Sequence, residues 1–206
     1  MATLPSSDVQ DRVEAFLIET EALRAGKFLL SSGKHSDRYC QCARLFEHPE
    51  SGRRIAGWMA DLMRAHDAAD VHAVVAPALG GVLWGYDLAA ALGVRSIFVE
   101  RVNGAFALRR GFELRKGMRV AIAEDVVTTG GSVMEVIPVV ESHGASVACV
   151  STVVDRSRGS FKPGVPAFSL VELEFEVWDP EESPFGPDEV ERPGSRTASG
   201  SGDASR

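Results

Sequence analysis

Two carboxylates stand side by side where an apolar run meets a cluster of hydroxyls and glycines. The stretch "VAIAEDVVTTGGSV", Val120 to Val133, sets Glu124 and Asp125 ahead of Val126 and Val127, then Thr128, Thr129, Gly130, Gly131 and Ser132. Hydroxyls and the unpaired N–H groups of a helix's first turn suit a phosphate monoester, and glycine lets the backbone approach it closely. Acids beside a phosphate would repel it unless they face another part of the same molecule. Carboxylates accept hydrogen bonds from vicinal hydroxyls, so a ribose 5-phosphate answers both halves of the pattern. The competing reading is a strand end followed by an acidic helix cap. No Gly-Lys-Ser/Thr closes the loop and the G-x-G-x-x-G fingerprint is missing, so neither a nucleotide P-loop nor a dinucleotide fold is indicated.

A second loop, "APALGG" from Ala76 to Gly81, also follows an apolar run and opens a helical pattern, so the backbone at Ala78, Gly80 and Gly81 can meet a second anion. Tight helix–strand packing would explain the two glycines equally well. Arg101, Arg109 and Arg110 fall in a stretch, 101–115, that also carries Gly104 and Gly111. This gap is longer than the usual connection of about 2–6 residues in α/β units, which suggests a lid that closes over the site. An exposed β-hairpin with incidental arginines is the alternative. The histidines at 35, 48, 66, 72 and 143 have no metal-ligand spacing and are read as packing or surface residues.

These loops need elements to hold them. Apolar spacing gives an opening helix from Ser7 to about Gly26, a strand–turn–strand in "KFLLSSGKHSDRYCQCARLFEHPE", and a helix over 53–66. After that, strands "VHAVVAPA", "RSIFVE", "RVAIAED" and "SVACVSTVVDR" alternate with helices ending near Gly93 and Gly144. Such alternation implies an α/β fold with a parallel sheet flanked by helices. "FSLVELEF" reads as an edge strand. The expected organisation is a single domain over 1–196, with a core at about 51–160, a small hood subdomain from about 1–50 and 160–196, and a disordered tail at 197–206.

Composition narrows the partners. A formal net charge of −7 gives no general pull toward nucleic acid or an anionic membrane, so any anion site must be local. Three cysteines, Cys40, Cys42 and Cys149, are too few for a disulfide framework, and no run approaches the ~18 apolar residues of a membrane span. A cytoplasmic protein that binds neither nucleic acid nor membrane is expected.

The 120–133 stretch closely resembles the phosphoribosyl pyrophosphate (PRPP) motif of the type I phosphoribosyltransferases. That resemblance implies Mg²⁺ as cofactor, arriving with PRPP and without fixed protein ligands. It also makes "APALGG" the pyrophosphate loop. "KFLLSSGKHSDRY" and "VVDRSRGS" are similar to segments of the orotate-using members of the family, over roughly residues 9–160. By that likeness Arg156 matches the base-binding arginine and Thr128 the loop residue that also touches the base. A guanidinium gripping the orotate carboxylate in two places is physically apt. The resemblance further implies a homodimer whose 101–115 segments, with Arg101, Arg109 and Arg110, serve the partner's site. This chain has Ser31 and Gly80 where the better-known branch has lysines. Its "ERVNGAFALRRGFEL" and its tail look like the subgroup first typified by thermophile enzymes, with Ser183 and Gly186 in place of a frequent Cys-x-x-Cys. Transfer to another base, or a regulator that keeps the PRPP site as a sensor, remain the alternatives.

Overall fold

In the computed structural model, which describes residues 2–186 and 188–193, the chain divides into two units. The larger holds residues 2–22 and Gln41–Glu174 around a six-stranded sheet in the order β5-β4-β3-β6-β7-β8. Its strands are β3 (Ala73–Pro77), β4 (Arg95–Val102), β5 (Ala105–Leu108), β6 (Arg119–Val127), β7 (Ser146–Asp155) and β8 (Ala167–Glu172). All neighbours pair in parallel except β5, which returns antiparallel along β4. β3 is buried at every position, as expected of a strand covered on both faces.

Four α-helices belong to this unit: α1 (Ser7–Glu19), α2 (Pro49–Ala65), α3 (Gly81–Leu92) and α4 (Gly131–Ser142). The steps from β3 to β4 and from β6 to β7 run in opposite directions across the sheet, so right-handed crossovers put α3 and α4 on opposite faces. On one side Val133, Val136 and Val140 of α4 pack with Val75, Ile97, Ile122 and Val150. On the other, fully buried Trp84 of α3 donates its indole N–H to the Ser151 carbonyl at 3.3 Å, and α2 lies against α3.

The smaller unit comprises Leu23–Cys40 and the described residues from Phe175 onward. Strands β1 (Leu23–Leu29), β2 (His35–Cys40) and β9 (Val177–Trp178) form an antiparallel sheet in the order β1-β2-β9. Buried Phe28 meets Tyr39 with ring centroids 5.7 Å apart. The chain near Glu191 is tied back by backbone bonds, Leu29 N–H to Glu191 O at 2.8 Å and Glu191 N–H to Lys27 O at 2.7 Å.

Three expectations change. The opening helix stops at Glu19, because the Thr20 hydroxyl closes on the Phe16 carbonyl at 2.7 Å and Glu21 takes a positive φ of 54° before β1 begins. The small unit is narrower than the hood expected from 1–50 and 160–196: α1 and β8 go with the larger unit, where Thr3 is stitched to β8 through Thr3 N–H to Ala167 O at 2.7 Å and Ser169 N–H to Thr3 O at 3.0 Å. The 101–115 stretch is not one irregular connection. β4 runs through Arg101, and Asn103 (φ 52°) with Gly104 (φ 88°) makes a tight turn into β5, the hairpin type whose twist matches the strands. The tail at 197–206 lies outside the described residues. Among the described residues no helix is long and apolar enough to cross a membrane.

Candidate active site

The chain leaves β3 for β4 on one side and resumes at β6 on the other, which makes the carboxyl ends of β3 and β6 the switch point where open α/β sheets take ligands. The two glycine-bearing loops meet there. A β-carbon on Gly81 would lie 2.6 Å from the Ala123 carbonyl oxygen and 3.3 Å from Glu124 Oε1. One on Gly80 would lie 3.0 Å from Asp125 Oδ1, so the first loop is pressed against the acid pair.

A cavity of about 280 Å³ opens over the second loop, lined by Glu124, Val126, Val127, the 128–132 loop and Val133, with Arg101 and Glu135 beside them. Gly130 caps α4 in the left-handed conformation (φ 78°), and the first helical bond runs from Met134 N–H to Gly130 O at 3.0 Å. The N–H groups of Gly131, Ser132 and Val133 therefore have no helical acceptor, and all three residues line the cavity. Together with the helix dipole they make an anion site.

The acid pair carries a proton of its own. Glu124 is buried, and burial followed by the Asp125 charge pushes its carboxyl up to about 8, against weaker opposing bonds from the Asp125 N–H and the Ser132 hydroxyl. Burial also raises Asp125, while bonds from the Glu124 side chain and the Val126 N–H (2.9 Å to Oδ1) hold it down. Burial raises both carboxyls, and the adjacent charge raises Glu124 further, so the pair favours holding a proton near neutrality. Beneath them the Cys42 thiol points to the Asp125 carbonyl at 4.0 Å.

The arginines differ from one another. Arg101 grips Glu135 of α4 through both terminal nitrogens at 2.8 and 3.0 Å, donates to Gly104 O at 2.6 Å, and lies 4.2 Å over the Phe106 ring. Arg110 is bound to Glu100 at 2.6 and 2.7 Å. Arg109 is exposed, and its side chain makes no hydrogen bond or ion pair among the described residues. Neither Arg109 nor Arg110 lines the cavity, because the hairpin carries them away from it. Arg156 is outside the cavity lining too, yet its backbone N–H donates to Val127 O at 2.8 Å, which puts its turn beside Thr128. Ala78, Gly80 and Gly81 belong to the adjoining loop.

Sequence reasoning missed Glu135, whose signal was its position one turn after Ser132 on α4, and Phe161, which had none. Among the described residues no cluster of three or more His, Cys, Asp or Glu is arranged to hold a metal. Glu124 at the cavity, with Asp125 next to it in the chain, would suit Mg²⁺ that keeps its waters and the ligand's phosphates as its main shell.

The class of protein follows from comparison. The family model described as "Phosphoribosyl transferase domain" matches residues 41–189. The orotate phosphoribosyltransferase of Thermotoga petrophila is 50% identical over 186 residues, 89% of this chain and 98% of that protein. That of Heliobacterium modesticaldum is 46% identical over 191 residues, covering 91% and 99%. Among solved structures, orotate phosphoribosyltransferase from Aeropyrum pernix superposes with a TM-score of 0.66 at 28% identity, over 78% of this chain and 93% of that one. The Mycobacterium tuberculosis enzyme in complex with inorganic phosphate gives 0.64 at 27% identity, over 79% and 96%. The chain belongs to the phosphoribosyltransferase family and, within it, to the orotate phosphoribosyltransferases.

Proposed function

We propose that this protein transfers the 5-phosphoribosyl group of PRPP to orotate, breaking the C1–pyrophosphate bond, forming the bond from C1 to the ring nitrogen, and releasing pyrophosphate and orotidine 5′-monophosphate. The observation that carries this reading is the junction of an acid pair with an open helix N-terminus at the sheet's switch point. The 128–132 loop takes the 5′-phosphate. Ribose hydroxyls donate to Asp125 and Glu124, displacing the proton the pair holds in the empty site. The backbone of Ala78, Gly80 and Gly81 faces the pyrophosphate, and Arg156 with Thr128 takes the base. Glu124 and Asp125 would stand near a Mg²⁺ arriving with PRPP, and that ion would supply charge to offset the departing pyrophosphate. Positioning and charge stabilisation are sufficient for this chemistry, and no protein nucleophile is needed.

Of the three arginines Arg109 is the one with an unengaged side chain, and it is assigned to the pyrophosphate of a partner subunit, with Arg101 and Arg110 supporting the hairpin. Leu79 (85% exposed) just before α3, and Leu83 (50%) and Tyr86 (65%) on its first turns, are large apolar side chains left exposed, which supports a homodimer. The cytoplasm, as site of pyrimidine nucleotide synthesis, suits a protein whose three thiols form no disulfide.

Loss of orotate ultraviolet absorbance on adding PRPP and Mg²⁺ tests the reaction. Orotate-dependent turnover is expected, with uracil and hypoxanthine left unconsumed. Preferential use of either rival base would overturn the assignment.

A further inference from the structure

The turn that follows Arg156 ends on Phe161, a residue outside the family-like motif that is 6% exposed. Its ring is seated on the α-carbon of Gly130, since a β-carbon there would collide with the Phe161 ring. Gly130 is the left-handed residue from which α4 and its three unpaired N–H groups start. The turn itself is braced: Ser157 N–H bonds Asp155 Oδ1 at 2.7 Å, and Ser160 closes on Ser157 O through its N–H at 3.0 Å and its hydroxyl at 2.7 Å. A second tie joins turn to loop, from Arg156 N–H to Val127 O at 2.8 Å. Backbone bond and ring contact therefore grip the loop at both of its ends.

We infer that Phe161 is a positioning residue: its ring on Gly130 sets the phosphate loop at a fixed offset from the Arg156 turn, and so fixes the spacing between the phosphate and base subsites. Gly130 is itself buried, and the Phe161 ring fills the space where a side chain at that position would stand. A displacement of about 1 Å in groups that align reactants can cost on the order of 100-fold in rate, so a contact that sets loop position reaches the chemistry without touching the substrate. The inference rests on the 128–132 loop being the phosphate subsite.

The test measures Michaelis constants for PRPP and orotate with the full-length protein, after calorimetry has established that the wild type binds PRPP with Mg²⁺. Absence of that binding would sink the function proposed above and leave nothing for Phe161 to position. Given binding, Phe161→Leu, which keeps most of the volume but not the flat contact, is expected to raise the PRPP constant about threefold, and Phe161→Ala about tenfold or more. The melting transition should stay above the assay temperature, and Phe161→Tyr should restore the wild-type constant. The decisive comparison uses Gly130→Asn, since asparagine tolerates positive φ and isolates the collision with the ring. Gly130→Asn should weaken PRPP binding, and Phe161→Ala added to it should regain affinity, although Phe161→Ala alone loses it. Simple addition of the two losses, or Phe161→Leu that melts lower with unchanged PRPP affinity, would reduce Phe161 to core packing and overturn the inference. If the double variant does not fold, the Phe161→Leu and Phe161→Tyr pair decides.

Discussion

The two loops at the switch point are equipped differently for the anions proposed to bind them. The β6–α4 loop has hydroxyls at Thr128, Thr129 and Ser132, a left-handed glycine, three N–H groups without helical acceptors, and buried Glu124 with half-buried Asp125 in front. The β3–α3 loop has exposed Leu79 and right-handed Gly80 (φ −54°), with the Asp125 carboxylate against it. One loop is complete within its own chain. The other offers backbone alone, beside a negative group, and needs positive charge from elsewhere. Under the proposed reaction that difference would divide the labour: the complete loop would hold what stays on the enzyme, and the bare loop would face what leaves.

The largest effect should follow from Gly130→Ala. Alanine in left-handed backbone costs roughly 1–2 kcal/mol before the collision with Phe161 is counted, so PRPP affinity should fall by at least about 30-fold in titration calorimetry. Equal affinity would mean that the complete loop is not the phosphate site. Arg156→Ala comes next. Loss of a charged hydrogen bond of about 1.5–3 kcal/mol should raise the orotate constant about tenfold or more while PRPP binding barely moves. If both ligands weakened together, the base would not be read separately from the loops.

A smaller effect is expected from pH. Glu124 is raised to about 8 in the folded protein, so between its ordinary value and 8 the native state holds a proton that the unfolded chain has released. Stability of the empty protein should therefore decline as pH rises through that window. PRPP hydroxyls displace the same proton, so affinity at saturating Mg²⁺ should strengthen by about fivefold from pH 7 to pH 8. A flat profile would remove the shared proton from the account. Smallest should be Gly80→Ala, where only a side-chain oxygen at 3.0 Å must give way, with less than about a threefold change in the pyrophosphate inhibition constant. A loss as large as that of Gly130→Ala would erase the contrast between the loops.

How far the sequence carried this picture depended on whether each feature was local. Glu124 to Ser132 lie in one contiguous run whose residue types state their chemistry, and the alternation of β-branched strands with helices fixed the layer order. The hairpin was signalled by Asn103-Gly104 between Val102 and Ala105, yet the arginines around it drew the reading toward a lid. The end of α1 was misplaced because no Gly or Pro breaks the chain between Thr20 and Gly26, although it turns at Thr20 and Glu21. The pairings of Arg101 with Glu135 and of Phe161 with Gly130 join residues far apart in the chain; the place of Glu135 one turn after Ser132 put it near the loop, but no local pattern named its partner or that of Phe161.

Asp125→Asn, titrated separately with ribose 5-phosphate and with inorganic phosphate, tests most directly whether the acid pair faces the ribose while the loop holds the phosphate. Loss of the charged acceptor should weaken ribose 5-phosphate by about tenfold or more, and phosphate alone should bind as well as before or slightly better. Unchanged binding of ribose 5-phosphate, or equal weakening of both ligands, would contradict the division of labour between Glu124–Asp125 and the 128–132 loop.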